Sequence, residues 1–160
     1  MKNLLIYFYL ILFTATLASC GGKKTTEGDN TEPPKSMVND KGDYDPNRGE
    51  GKFTAENVLL GTSLDKDMAT KGEAISATKC TSCHKLTEEK LVGPGWQGVT
   101  TRRSPHWIMN FITNPDPMIE KDPAVQAMLE LCLVRMPNQS LKEDEARHIL
   151  EYMRKIDGVK

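Results

Sequence analysis

The distribution of apolar and polar residues divides the chain into three parts. An uninterrupted apolar run covers residues 4–13, and a strongly polar stretch follows over residues 21–50. Beyond residue 51, apolar residues recur at three- and four-residue intervals, and no convincing alternating strand pattern occurs. The pattern predicts an all-α domain over residues 51–160.

The first predicted helix of this domain runs into Cys80. Asp65 or Thr70 can cap its start, and Thr70 together with Glu73 fits a capping box. Farther on, Ser104 and Asp122 each stand directly before a proline, which is typical of a helix start. The two helices are expected to end near residues 113 and 133.

Two further signals complete the helical pattern. The sequence Asn-Pro-Asp-Pro at residues 114–117 stops the helix before it, because a residue that precedes proline disfavours the helical region. Ser140 and Glu143 fit a capping box for a last helix that ends near Gly158. Its helically spaced apolar residues are expected to be buried: Ala146, Ile149, Leu150, Met153 and Ile156.

The first twenty residues have the features of an export signal. The positive charge of Lys2 precedes an apolar run that is shorter than the roughly 20 residues needed to span a bilayer. The sequence Leu-Ala-Ser-Cys at residues 17–20 resembles a bacterial lipoprotein signal, which implies removal of residues 1–19 and lipidation of Cys20. An ordinary signal peptide or an uncleaved anchor, with Cys20 incidental, is the alternative. We expect an exported, membrane-anchored lipoprotein that faces the periplasm.

Residues 20–50 are predicted to form a tether between this lipid and the domain. They contain almost no large apolar side chains and many Gly, Pro, Asp, Asn and Lys residues. Such a segment cannot bury enough surface to offset its ordering entropy, so we expect disorder. A flexible chain of this length reaches roughly 30 Å.

The overall composition adds two constraints. The 21 basic residues nearly cancel the 22 acidic residues, so the charge indicates no nucleic-acid partner. Aromatic residues are only 6% of the chain, which is lean for a core, and a large apolar cofactor would supply part of the missing core.

The strongest chemical motif is the sequence Cys-Thr-Ser-Cys-His at residues 80–84. Two cysteines at this spacing followed by histidine are typical of c-type haem attachment: Cys80 and Cys83 add to the two vinyl groups, and His84 reaches the iron. A structural zinc site needs about four ligands, and no second ligand pair occurs at suitable spacing. A thiol redox pair usually accompanies a βαβ pattern, which is also missing. Cys132 is left over and is expected to be a buried small apolar residue.

With this motif in place, the domain resembles a class I cytochrome c over roughly residues 66–157. The resemblance includes His84, the Gly-Pro step ending at Pro94, Met136 followed by proline, and the final helix. It implies a small fold of about four to five helices around one covalently bound haem c. It further implies axial ligation by His84 and Met136.

The sixth ligand must be chosen among eight methionines and two other histidines. Met136 lies in a loop between helices, and the proline after it prevents helix continuation. His106, at a helix start, is the main rival, whereas His148 is expected on a solvated face with Asp144 and Glu151. The remaining methionines are expected elsewhere: Met1 in the signal, Met37 in the tether, Met68 in or before the first helix, and Met109, Met118, Met128 and Met153 in helix packing.

The resemblance also implies supporting residues. The carbonyl of Pro94 would accept a hydrogen bond from His84, while Arg102, Arg103 and Trp107 would reach the haem propionates. Gly72 would let the first helix cross the last closely, opposite Ile149 and Tyr152. Ser76 stands where many members of the family have an aromatic residue, so we expect looser packing there. Residues 53–68 have no predicted role.

These features predict a single-electron carrier rather than an enzyme. We expect a monomer that shuttles electrons between a quinol-oxidising complex and a terminal oxidase or reductase, docking through the haem edge near Lys79, Lys85 and Arg135. Two alternatives stay open: a haem sensor or gas-binding module with a displaceable Met136, and an electron-entry subunit of a larger redox enzyme. Carbon monoxide binding to the reduced protein would separate the sensor from the carrier.

Overall fold

A computed structural model describes residues 44–160 of the chain. The predicted signal peptide, Cys20 and the tether up to residue 43 lie outside the described residues. Six helices and no strand occur over residues 44–160, which confirms the all-α prediction and exceeds the expected four to five helices. The helices are α1 (Lys66–Lys79), α2 (Val99–Arg102), α3 (Pro105–Thr113), α4 (Pro115–Lys121), α5 (Pro123–Cys132) and α6 (Glu143–Ile156). Across this part of the chain, no helix combines the length and apolar character needed to cross a membrane.

Helix α1 begins at the first of its two predicted caps. Asp65 Oδ1 accepts a hydrogen bond from the backbone N–H of Met68 at 2.9 Å. Thr70 lies inside the helix, where its hydroxyl donates to the carbonyl of Lys66 at 2.8 Å. The expected capping box of Thr70 and Glu73 is therefore wrong, because the helix already begins at Lys66, where Asp65 satisfies one of the orphan N–H groups.

The two helix starts before prolines are confirmed. Ser104 Oγ accepts the N–H of Trp107 at 3.2 Å, and Asp122 Oδ1 accepts the N–H groups of Ala124 and Val125 at 2.8 and 3.1 Å. The segment Asn-Pro-Asp-Pro ends α3 as expected, but it also begins α4 at once. Proline suits the first position of a helix, where its missing N–H would have no partner.

Helix α6 begins later than predicted. Ser140 lies in the left-handed region with φ 51°, so it cannot form the expected capping box with Glu143. Instead, the backbone N–H of Lys142 donates to Glu145 Oε2 at 2.8 Å, and the helix starts at Glu143. The predicted apolar stripe is buried, except that Ile156 at its end is half-buried.

Helices α1 and α6 cross at the point that the sequence predicted. A Cβ atom added to Gly72 would lie 2.0 Å from the carbonyl oxygen of His148 and 2.9 Å from Cβ of Tyr152. Gly72 therefore packs against the backbone of His148 and against Tyr152, one of the two residues that were expected opposite it. Ser76, the departure from the family pattern, lies one turn along and is completely buried.

A buried ionic cluster joins α6 to the segment before α1. Glu151 has no exposed surface, and its Oε1 accepts the N–H of Asp65 at 2.9 Å and Nη1 of Arg154 at 2.6 Å. Its Oε2 accepts Nη1 of Arg147 at 2.6 Å. The expectation that Glu151 lies with His148 on a solvated face is therefore wrong, and His148 is half-buried.

The segment before α1 packs along α3. The Asn110 side chain accepts the N–H of Phe53 at 2.9 Å and donates to the carbonyls of Arg48 and Phe53 at 3.1 and 3.0 Å. The Tyr44 hydroxyl donates to Asp122 Oδ2 at 2.5 Å. Residues 44–50, which their composition placed in the tether, therefore belong to the packed domain, and part of residues 53–68 covers α3.

Candidate functional site

A cavity of about 460 Å³ lies among α1, α3, α5, α6 and the loops that follow α1 and α5. Its walls are mostly apolar and include Ile108, Phe111, Ile112, Val125, Leu129 and Ile149. The predicted haem-site residues all line it: Cys80, Cys83, His84, Pro94, Arg103, Trp107 and Met136. A cavity of this size with few polar groups is typical of a site for an organic cofactor.

The end of α1 places the two thiols on the cavity. The N–H of Cys80 donates to Ser76 at 2.9 Å, and the N–H groups of Cys83 and His84 both donate to the Cys80 carbonyl at 3.0 Å. This tight turn brings both thiols and the imidazole to the same wall. Neither thiol is in a disulfide, and burial raises the pKa of the Cys80 thiol.

The loop after the motif holds the His84 ring. Nδ1 of His84 lies 2.8 Å from the carbonyl oxygen of Pro94, which is the hydrogen bond that the family resemblance implies. A Cβ atom on Gly93 would lie 2.4 Å from Cε1 of His84, so only glycine fits beside the ring. Burial lowers the pKa of His84 and favours the neutral imidazole, which is the form that binds metals. With Nδ1–H as donor, Nε2 carries the free lone pair.

Met136 belongs to the loop between α5 and α6 and is half-buried on the cavity wall. Neither His106 nor His148 lines the cavity, which removes the expected rival ligand from this site. Met128 on α5 and Met153 on α6 also line it. Met109 and Met118 are buried away from the cavity, as predicted from their helical positions.

The structure corrects the expected role of Trp107. Its indole N–H donates to Asp122 Oδ2 at 2.8 Å and so is not free to bind a propionate, while the ring walls the cavity. Arg103 also lines the cavity, with its guanidinium carbon 4.6 Å from the centre of the Trp107 ring system. Arg102, on the rim, donates to the carbonyl of Gln97 at 2.9 Å.

Two contributions to the site were missed from the sequence. Cys132 was expected to be buried in packing, but it is half-buried and lines the cavity. Asp122 was recognised only as a helix cap, although the same carboxylate holds both Tyr44 and Trp107. The proline after Asp122 indicated the cap, but no local signal identified its distant partners.

The residues present fit a covalently bound haem. Two free thiols at the attachment spacing, a neutral imidazole with a free nitrogen and a thioether share one apolar cavity. Soft sulfur and imidazole ligands suit iron in a cytochrome, and the apolar walls suit the macrocycle.

Comparison with known proteins agrees with this chemistry. The cytochrome c family matches residues 69–157, which is more than half of the chain. The chain belongs to the cytochrome c family and carries covalently bound haem c, and the family's chemistry is haem-based electron transfer with redox partners. Domains of this family are typically extracytoplasmic, and members of the family are generally electron carriers rather than enzymes.

Solved structures give the same result. The cytochrome c from Rhodothermus marinus is 38% identical with a TM-score of 0.62, and the match covers 65% of this chain and 89% of that one. An engineered form, Rma TDE, is 36% identical with a TM-score of 0.61, covering 65% and 90%. The engineered form bound to a carbene intermediate is 38% identical with a TM-score of 0.59, covering 65% and 89%. A comparison with curated protein sequences found no match.

Proposed function

We propose that this chain is a single-electron carrier with haem attached at Cys80 and Cys83 and iron ligated by His84 and Met136. The observation that carries the proposal is that these four side chains line one cavity, although Met136 is far from the others in sequence. When bound, the haem supplies an iron that alternates between its ferrous and ferric states. His84 and Met136 would hold the iron from the protein side, and ligation by histidine and methionine would raise its reduction potential.

The surrounding residues prepare this site. The Pro94 carbonyl fixes the His84 ring and strengthens it as a ligand, because a hydrogen bond at one ring nitrogen increases the basicity of the other. The guanidinium of Arg103 lies over the Trp107 ring, and its positive charge would balance the negative charge of a haem propionate. The carboxylate of Asp122 holds that ring through its indole N–H.

The carrier works outside the cytoplasm, held to a membrane by a lipid on Cys20. The residues before Cys20 and the polar segment after it support this location. The electron donor is a quinol-oxidising complex, and the acceptor is a terminal oxidase or reductase. A monomer on a tether can meet both, and the same tether would serve an electron-entry subunit fixed within one complex.

The test of this function is reoxidation of the reduced, full-length protein by membranes that contain the terminal oxidase of the source bacterium. Stopped-flow absorption should show reoxidation that is much faster than in buffer and that an oxidase inhibitor abolishes. Reoxidation at the same slow rate with and without these membranes would exclude the oxidase as acceptor, and the same result with membranes that contain a terminal reductase and its substrate would refute the shuttle.

A haem sensor or gas-binding module is the second candidate. Its support is the loop position of Met136, together with the engineered cytochrome c from Rhodothermus marinus that is bound to a carbene intermediate. The two functions differ in the reduced protein's response to carbon monoxide. The carrier predicts an unchanged absorption spectrum, whereas rapid formation of a carbon monoxide complex would favour the sensor.

A further inference from the structure

The carboxylate of Asp122 lies one side chain behind the wall of the haem cavity. Asp122 is 1% exposed and does not itself line the cavity. Two residues that do line it, Trp107 and Val125, each donate an N–H group to this carboxylate, at 2.8 and 3.1 Å. A charge on Asp122 therefore acts on the haem through buried protein, where it is screened much less than at the surface.

The hydrogen bonds of Asp122 fit an ionised carboxylate. Its Oδ2 accepts the Tyr44 hydroxyl at 2.5 Å and the Trp107 indole N–H at 2.8 Å. Its Oδ1 accepts the backbone N–H groups of Ala124 and Val125. A protonated carboxyl group needs an acceptor for its own proton, whereas three of these four groups can only donate. Burial and the neighbouring carboxylate raise the pKa of Tyr44 well above its ordinary value, so the proton stays on the phenol.

No cation is bound directly to this carboxylate. Within residues 44–160, no lysine, arginine or histidine forms an ion pair with Asp122. Its neighbour in sequence, Lys121, instead pairs with Glu50 at 3.2 Å. The cavity lining includes four lysines and arginines, all of them beyond ion-pair distance from this carboxylate: Lys79, Arg102, Arg103 and Arg135. The negative charge is therefore stabilised by neutral donors and is not cancelled by a bound cation.

Helix capping does not explain why this position carries a charge. Ser104 caps α3 before a proline in the same way, with a neutral hydroxyl. Asparagine and serine cap helices about as well as aspartate. Burial of a carboxylate without a cationic partner is costly in free energy. The chain thus keeps a buried negative charge beside the haem cavity that the start of α5 does not require.

We propose that the buried carboxylate of Asp122 lowers the reduction potential of the haem, with Tyr44 and Trp107 as the donors that hold this charge in place. The inference rests on the proposed carrier function, in which the iron exchanges single electrons. Ferric haem carries one more positive charge than ferrous haem, so a nearby negative charge stabilises the ferric form. Asp122 therefore offsets part of the rise in potential that methionine ligation brings, and it favours release of the electron to the acceptor.

The test is a redox titration of the full-length, haem-containing protein against a dye of known potential. Asp122→Asn keeps the size of the side chain and a helix-capping oxygen but removes the charge. We expect its equilibrium constant for reduction to rise about tenfold, a shift of about 59 mV for one electron. Glu130→Gln is the matched control, because it removes the same charge from an exposed position of α5. Solvent screens that position, so the constant should change less than about twofold.

Tyr44→Phe separates the charge from the packing around it. This variant removes one hydrogen bond from the carboxylate and keeps the negative charge, so the equilibrium constant should stay the same or fall. Loosened packing admits water, which stabilises the more highly charged ferric form and lowers the potential in any variant. A purely structural role of Asp122 therefore predicts a fall in Asp122→Asn, whereas the charge predicts a rise.

A second pair of variants tests the charge if Asp122→Asn folds poorly. In Asp122→Asn one amide oxygen must serve both the cap of α5 and the Trp107 N–H, and Trp107→Phe removes the second demand. The double variant should therefore have a higher potential than Trp107→Phe alone, by the same factor.

Two results have distinct consequences. An equilibrium constant that is unchanged or lower on loss of the carboxylate, in both the native and the Trp107→Phe backgrounds, would overturn the role of Asp122 and leave the carrier function standing. Failure of the native haem to undergo reversible one-electron reduction would instead refute the carrier function itself.

Discussion

The crossing of α1 and α6 leaves no room for a side chain at Gly72. In Gly72→Ala the new Cβ would lie 2.0 Å from the carbonyl oxygen of His148 and 2.5 Å from its carbonyl carbon. Ordinary contact needs about 3.5 Å, so one helix must move by about 1.5 Å. The obstacle is backbone inside a helix and cannot rotate away.

Two opposing effects determine how much Gly72→Ala changes the free energy of unfolding. Alanine inside a helix is about 1 kcal/mol more favourable than glycine. Forcing extra volume into a packed contact costs about 1–3 kcal/mol, and more when the neighbour cannot yield. The displaced helices also carry the fully buried Ser76, Ala146 and Ile149, whose contacts weaken as the gap opens. We expect a net loss of about 2 kcal/mol in the free energy of unfolding.

The measurement is urea unfolding of the haem-containing protein, followed by circular dichroism at helix wavelengths. Gly61→Ala is the control, because its added Cβ would meet only Ser63 O at the ordinary distance of 3.7 Å. That variant should stay within about 0.5 kcal/mol of the native protein. If Gly72→Ala is as stable as the control, the close approach of α1 to α6 is wrong.

Two further predictions concern the cysteines and the buried carboxylate. Replacing Cys80 and Cys83 together by serine should remove haem staining after denaturing electrophoresis, whereas Cys132→Ser should keep it; haem retained by the double variant would contradict the attachment sites. Glu151→Gln leaves two arginines without their carboxylate and should lower the free energy of unfolding by about 3 kcal/mol, against less than about 1 kcal/mol for the exposed Glu143→Gln. Burial would raise the pKa of Glu151, but hydrogen bonds from Asp65 N–H and the arginines outweigh it and hold the pKa below the usual 4.5. Its stabilisation is therefore complete above that value and lost as the pH falls through the lowered pKa, so parallel pH profiles of native and Glu151→Gln proteins would refute the assignment.

The residues that the sequence predicted well are those whose roles depend on near neighbours. The turn at Cys80, Cys83 and His84 is encoded by five consecutive residues, and the helix starts at Ser104 and Asp122 by single prolines. The placement of Gly72 at a helix crossing followed from the family resemblance, and the structure confirms the crossing.

The predictions that failed concern residues whose surroundings depend on distant parts of the chain or on an unusual backbone conformation. Glu151 has the pattern of a surface residue until the N–H of Asp65, 86 positions away, is placed beside it. Tyr44 lies in a polar stretch, but its hydroxyl donates a hydrogen bond to the carboxylate of Asp122, 78 positions away, and this contact makes Tyr44 part of the packed domain. The capping box at Ser140 failed because that residue adopts a left-handed conformation, which the spacing of polar residues does not reveal.

The most direct test of the central claim is the far-red absorption spectrum of the oxidised protein, where a methionine–iron charge-transfer band reports the sixth ligand. Met136→Ala and Met128→Ala are compared with the native chain, since both methionines line the cavity. We predict that the native protein and Met128→Ala show the band, and that Met136→Ala loses it and binds carbon monoxide when reduced. A band that persists in Met136→Ala, or that is missing from the native protein, would contradict ligation by His84 and Met136.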